Sequence, residues 1–188
     1  MRIIKTLTDD LICNRIISAD EREIVQYGLE HMIGSLLGFL ITLGIGFCFG
    51  SPIAGLFLWL FLYPLRCNAG GYHADTRGKC KLISIFMLFV VFSGIFCPNW
   101  KDVVHMVLCF VCAVTIWFIA PVGSCNKPLD EMEHLVYRRR TRCILMAETV
   151  LALCSWFCNW TNIFLAVEMA LAVVAVSLVA GKWKLDKQ

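Results

Sequence analysis

Cys80 stands seven residues after His73, inside a polar stretch, residues 66–81, that separates two long apolar runs. Arg77, Lys79 and Lys81 flank the cysteine, and the next apolar run begins just beyond it. Nearby cations and the positive end of a helix both favour thiolate over thiol, so these surroundings suit a nucleophilic sulfur. An imidazole is the usual base for such a sulfur, as in Cys/His hydrolases. The two groups cannot meet on one continuous helix, because seven residues rise about 10.5 Å. The segment must therefore fold back, and Gly70, Gly71 and Gly78 supply backbone freedom on either side of the pair, including positive φ. Asp75, between base and nucleophile, could orient His73 as the third group of a triad does, with a solvated loop aspartate as the alternative. A zinc site of Cys67, His73 and Cys80 is disfavoured, since separations of six and seven residues do not fit compact ligand knuckles. The thiol chemistry needs neither a metal nor another cofactor.

These residues need elements to hold them, and composition says of what kind. The 188 residues are 59% hydrophobic and 16% charged, with a mean hydropathy of +0.74. A soluble domain carries about 45–50% apolar and about 25% charged residues. The chain reads as an all-α polytopic membrane protein forming a single membrane domain, with the lipid bilayer as its surroundings and no sign of a nucleic-acid partner. Its 11 cysteines are scattered through apolar runs, where most behave as small buried hydrophobes rather than as a disulfide framework. No cleavable signal peptide is evident in the first thirty residues, so the first span is expected to act as the insertion signal.

In residues 1–18, Ile3, Ile4, Leu7, Leu11 and Ile12 fall near helical spacing, opposite Lys5, Asp9 and Asp10, which predicts an amphipathic helix on the membrane surface. Ser18 and Glu21 form a capping-box pattern that starts the next helix. Apolar runs then predict six spans, at about residues 22–49, 53–65, 82–97, 103–122, 141–158 and 162–180, with Pro64 bending the end of the second. Residues 66–81 and 123–140 are the long polar loops. With both termini and these loops in the cytoplasm, sixteen of the 17 basic residues lie on one side and only Lys101 on the other. His73 and Cys80 then sit at the inner membrane face.

Arg66, the pair Gly70 and Gly71, Tyr72-His73-Ala74 and Cys80, placed between the second and third of six spans, resemble the signature of the AgrB family, the membrane endopeptidases of bacterial peptide quorum sensing. The stretch from Ala120-Pro121 to Lys127-Pro128-Leu129 and the overall length are similar as well, so the likeness covers nearly the whole chain. The resemblance implies a cysteine endopeptidase that cuts an AgrD-like propeptide on its C-terminal side and closes the remainder into a thiolactone or lactone. It implies Cys80 as nucleophile, His73 as base, and Arg66, Gly70 and Gly71 as supports of the loop.

Other residues carry weaker signals. Arg138, Arg139 and Arg140, with Arg142, could attract an acidic propeptide tail, or only enforce orientation. Glu148 and Glu168 fall inside predicted spans, where carboxylates are expensive; they are candidates for substrate binding or for assisting catalysis, with a hydrogen bond to a neighbouring helix or, for Glu148, snorkelling toward the inner face as the alternatives. His31, His105 and His134 have no partner at a recognisable spacing and read as interfacial. Cys109 and Cys112 have the redox spacing without its soluble context and read as core packing. Gly34/Gly38 and Gly46/Gly50 allow close helix approach, within the chain or in a homodimer. The competing function is a small multi-pass transporter or exporter built on the intramembrane carboxylates. A non-catalytic scaffold with an incidental reactive cysteine is the third reading.

Overall fold

Long apolar runs broken by glycine, proline and short polar turns give helices, and the computed structural model consists of them. It describes residues 2–72, 77–95, 102–123 and 130–187, and the described residues form seven α-helices. These are α1 (Arg2–Cys13), α2 (Arg22–Cys48), α3 (Pro52–Ala69), α4 (Arg77–Ile95), α5 (Asp102–Ile119), α6 (Glu131–Phe157) and α7 (Thr161–Leu185). Helices α2 and α7 are each long and apolar enough to cross a membrane, and Val103–Ile119 is a shorter apolar stretch. The chain divides into two compact units, residues 1–41 and residues 42–188.

In the first unit, Arg22 holds Asp9 through Nε at 3.0 Å and Nη2 at 2.7 Å, tying the start of α2 to α1. Glu21 reaches back to Ser18, whose N–H and hydroxyl both donate to Oε2, at 2.9 and 2.8 Å. That is half of the expected capping box. The serine hydroxyl is spent on the glutamate, and the paired donors hold the Glu21 carboxyl below its usual range.

The second unit is organised around α7, which packs against α3, α4, α5 and α6. Val167, Ala170, Leu171, Val174 and Leu178 are fully buried along it, and alanines at 166, 170 and 175 let neighbouring helices come close. Where α2 meets α3, a Cβ on Gly46 would lie 2.9 Å from the Ser51 carbonyl oxygen and 3.3 Å from Gly55 Cα. Gly46 thus serves a helix-to-helix contact with Gly55, rather than a pairing with Gly50.

Three boundaries differ from those read in the sequence. Helix α3 continues through Pro64 to Ala69, so Arg66 and Cys67 are helical rather than part of a loop; Asn68 Nδ2 donates to the Pro64 carbonyl at 2.8 Å. Helix α4 begins at Arg77, which places Cys80 in its first turn. Helix α6 begins at Glu131, well before residue 141. Asp130 and Glu133 cap it reciprocally, with the Glu131 N–H donating to Asp130 Oδ1 at 2.7 Å and the Asp130 N–H donating to Glu133 Oε2 at 3.3 Å. Local capping and helix propensity ignore the membrane boundary that hydropathy marks.

His105 is corrected from interfacial to buried. Its Nδ1 lies 2.8 and 3.0 Å from the two carboxylate oxygens of Glu168, so α5 is pinned to α7 by a side-chain pair across 63 positions. Glu168 is fully buried and bonds to the neighbouring helix through His105.

Candidate active site

The site is built where α3 ends. Gly70 leaves the helix at φ +72° and Gly71 follows at φ +120°, conformations that L side chains resist. Arg66, one turn earlier, folds its guanidinium over this exit: Nη1 donates to the Gly70 carbonyl and Nη2 to the Tyr72 carbonyl at 2.8 Å. The exit then runs as a short parallel bridge beside residues 120–122. The Val122 N–H donates to the Ala69 carbonyl at 2.9 Å, and the Gly71 N–H to the Val122 carbonyl at 3.2 Å. A Cβ on Gly70 would collide with that Val122 oxygen, which leaves glycine as the residue that fits.

Beyond Gly71 the chain docks on α7. The Tyr72 N–H donates to the Ser177 carbonyl at 2.8 Å and to its Oγ at 3.2 Å. A Cβ on Gly181 would stand 2.7 Å from both Gly71 C and Tyr72 N, so the loop backbone lies directly on this glycine. Lys184 Nζ lies 5.4 Å from the centre of the Tyr72 ring, a cation facing an aromatic side chain. The sequence reading missed Ser177 and Gly181. Their four-residue separation is the small-xxx-small spacing already noted in the first span, and applying it to the last would have found them.

Cys80 is half-buried, and its carbonyl accepts from Ser84 Oγ at 3.0 Å. Burial pushes the Arg66 guanidinium down from its ordinary value, and the sulfurs of Cys80 and then Cys67 oppose that shift, so both lie within electrostatic reach of the cation. Burial pushes the Cys67 thiol up, only partly offset by a hydrogen bond with Tyr63 and by Arg66. The structure thus brings Arg66, Gly70 and Gly71 together at the end of α3, with Cys80 within electrostatic reach of the Arg66 cation. His73 and Asp75 lie outside the described residues.

The proposed substrate-binding residues do not join this cluster. Arg139 and Arg140 are exposed, while Arg138 and Arg142 are half-buried, and the Arg142 guanidinium lies 4.5 Å from the Trp117 ring centre. Glu148 is buried on α6 with Oε2 unpartnered among the described residues, and Glu168 is occupied by His105.

The family profile described as Accessory gene regulator B matches residues 4–179. A putative AgrB-like protein 2 of Clostridium perfringens is 32% identical over 117 residues, 58% of this chain and 55% of that protein. The protein FsrB of Enterococcus faecalis is 26% identical over 137 residues, 70% of this chain and 54% of FsrB. A putative AgrB-like protein of Listeria monocytogenes is 28% identical over 113 residues, 58% of this chain and 54% of that protein. The chain matches about half the length of these curated relatives. No solved structure matches it. The match to the family profile runs through the α3 exit, Cys80 and Ser177 alike, and the chain belongs to the accessory gene regulator B family.

Proposed function

We propose that this chain is a membrane-embedded cysteine endopeptidase of an accessory gene regulator quorum-sensing system, cutting an AgrD-like propeptide and promoting its cyclisation. One observation carries the reading: Cys80 lies in the first turn of α4 within electrostatic reach of Arg66, whose guanidinium is tied to the carbonyls of Gly70 and Tyr72, the residues leading into His73. A cation held by the loop backbone near the sulfur suits a nucleophilic cysteine, and the glycine exit leads directly into His73. In this reading the chain crosses the membrane six times, with both termini and the Cys80 region in the cytoplasm.

The thiolate of Cys80 attacks the scissile carbonyl and forms a thioester, while the C–N bond breaks and the departing amine takes a proton from His73. An internal thiol or hydroxyl of the peptide then gives its proton to His73 and displaces Cys80, closing the ring and restoring the enzyme. The thioester keeps the acyl group reactive, and exclusion of water protects it from hydrolysis. Asp75 is the proposed orienter of His73.

Co-expression with the short peptide encoded beside this chain, followed by mass spectrometry, tests the proposal. Wild-type protein should release a C-terminal fragment and a cyclic product, and Cys80→Ala should release neither while still inserting. Full processing by Cys80→Ala overturns the assignment. The buried Glu148 and Glu168 favour a second reading, a small transporter. Under that reading, Cys80→Ala keeps its activity and replacement of the carboxylates removes it.

A further inference from the structure

Among the described residues, helix α6 carries four buried donors without a hydrogen-bond partner, and three of them stand close together. Arg138 Nε, Thr141 Oγ1 and Arg142 Nε form this group, with Ser155 Oγ more than three turns farther along. Separations of three and four residues place them on one face of the helix. Thr141 is only 1% exposed, and the same face continues through Leu145 and Glu148, both buried. Buried N–H and O–H groups are nearly always satisfied, and three orphans on adjoining turns, two of them guanidinium groups, call for an acceptor with several oxygens and negative charge.

The surroundings narrow that acceptor. Arg142 stacks on Trp117 of α5, and from this contact exposed apolar side chains continue along both helices: Met146 and Val150 on α6, Val114 and Phe118 on α5. On α6 the opposite direction holds Arg139, Arg140 and the acidic first turn, and on α5 it is the helix end. The apolar columns therefore enter the bilayer from the level at which the arginines sit. Two guanidinium groups at headgroup depth, above a pair of apolar helix surfaces, match the phosphodiester and acyl chains of one amphiphile. Lys-type point charges on a surface would attract any anion, whereas two planar forks favour bidentate contact with phosphate oxygens.

We infer that Arg138, Thr141 and Arg142, together with Trp117 and the adjoining apolar faces of α5 and α6, form a binding site for an anionic phospholipid. It is independent of the Cys80 chemistry. The site gives Arg138 and Arg142 a different part from Arg139 and Arg140, although all four belong to one basic run.

Quenching of tryptophan fluorescence by brominated lipids tests this on the full chain in mild detergent. Brominated phosphatidylglycerol should quench at about tenfold lower concentration than brominated phosphatidylcholine, the difference expected of one charge-assisted contact. Trp117→Phe should remove most of that selective quenching. The double variant Arg138→Gln/Arg142→Gln should abolish the preference, and Arg139→Gln/Arg140→Gln, with the same loss of charge, should keep it. Equal losses in the two double variants would reduce the effect to general surface charge and overturn the site, as would wild-type protein without a preference. Displacement of the lipid by inorganic phosphate or by an acidic peptide would reassign the donors to a free anion or a peptide carboxylate, and overturn the lipid assignment. Should the glutamine pair not fold, Arg138→Lys/Arg142→Lys keeps the charge without the forks, and Thr141→Val removes the buried hydroxyl at nearly constant volume. Each should weaken the preference, and an undiminished preference in both overturns the inference.

Discussion

Helix α7 is held by two junctions made of different atoms. At Ser177 and Gly181 it meets the backbone of Gly71 and Tyr72, and the contact consists of an amide donating to a carbonyl and a hydroxyl over a surface that admits no Cβ. Nine residues earlier Glu168 meets His105, and the contact is one side chain on another. A backbone junction fixes where a loop goes, because its groups cannot be replaced and its tolerance is a fraction of an ångström. A buried side-chain pair fixes how firmly two helices are joined, because its atoms are costly when left alone. The first should therefore govern activity and the second stability.

The largest effect is expected at the side-chain junction. His105→Ala leaves a fully buried carboxyl without its partner, which costs about 3–5 kcal/mol when one member of a buried pair is removed. Thermal melting of the purified protein in detergent should show the loss, while processing per folded molecule stays close to wild type. Replacing both residues, as His105→Leu/Glu168→Met, should recover most of the stability. A His105→Ala protein that melts as wild type does would break the comparison, since the pair would then join nothing. At the backbone junction, Gly70→Ala puts a methyl group against the Val122 carbonyl at a positive φ. Processing should fall about a hundredfold, the loss that a displacement of roughly an ångström produces in a positioned reaction. Helical content should be unchanged by circular dichroism. Wild-type processing by this variant would detach the glycine exit from catalysis.

A milder change sharpens the same contrast. Ser177→Ala deletes the hydroxyl acceptor of the Tyr72 amide and keeps the carbonyl acceptor. The turnover number should fall about tenfold, in proportion to one weakened hydrogen bond at a positioned group, with KM little changed. Alkylation of Cys80 at neutral pH should slow, as it should in His73→Ala. If instead KM rises and alkylation is unaffected, Ser177 serves peptide binding and not the loop.

The two junctions also differ in how far they could be read in advance. Arg66, Gly70, Gly71 and Cys80 lie within fifteen residues, and glycine at a helix exit, a cation beside a thiol and the start of an apolar run are local signals. The helices themselves follow from hydropathy, because burial in lipid or in protein demands the same apolar surface. The partners on α7 lie more than a hundred residues away. A serine and a glycine in an apolar helix carry no sign of which backbone will cover them. His105 and Glu168 were both visible as polar residues in apolar surroundings, yet only packing could say that they face each other. The helical start of α6 is hidden for another reason: Asp130 and Glu133 are a local signal, but a polar run between two apolar ones reads as a loop.

Glu148 extends the comparison to a carboxyl with no junction. It is buried on α6 as Glu168 is on α7, but its Oε2 has no partner among the described residues. A buried polar oxygen without a hydrogen bond costs about 1–3 kcal/mol, so Glu148→Leu should raise the melting temperature where Glu168→Leu lowers it. A residue kept at such a cost is expected to work elsewhere, and the leucine variant should process the propeptide more slowly although it is the more stable protein. Measured side by side, opposite signs in stability and activity would mark Glu148 as a group held for the substrate. A lower melting temperature would show that the carboxyl is already satisfied, and would make it a second pin of the kind His105 and Glu168 form.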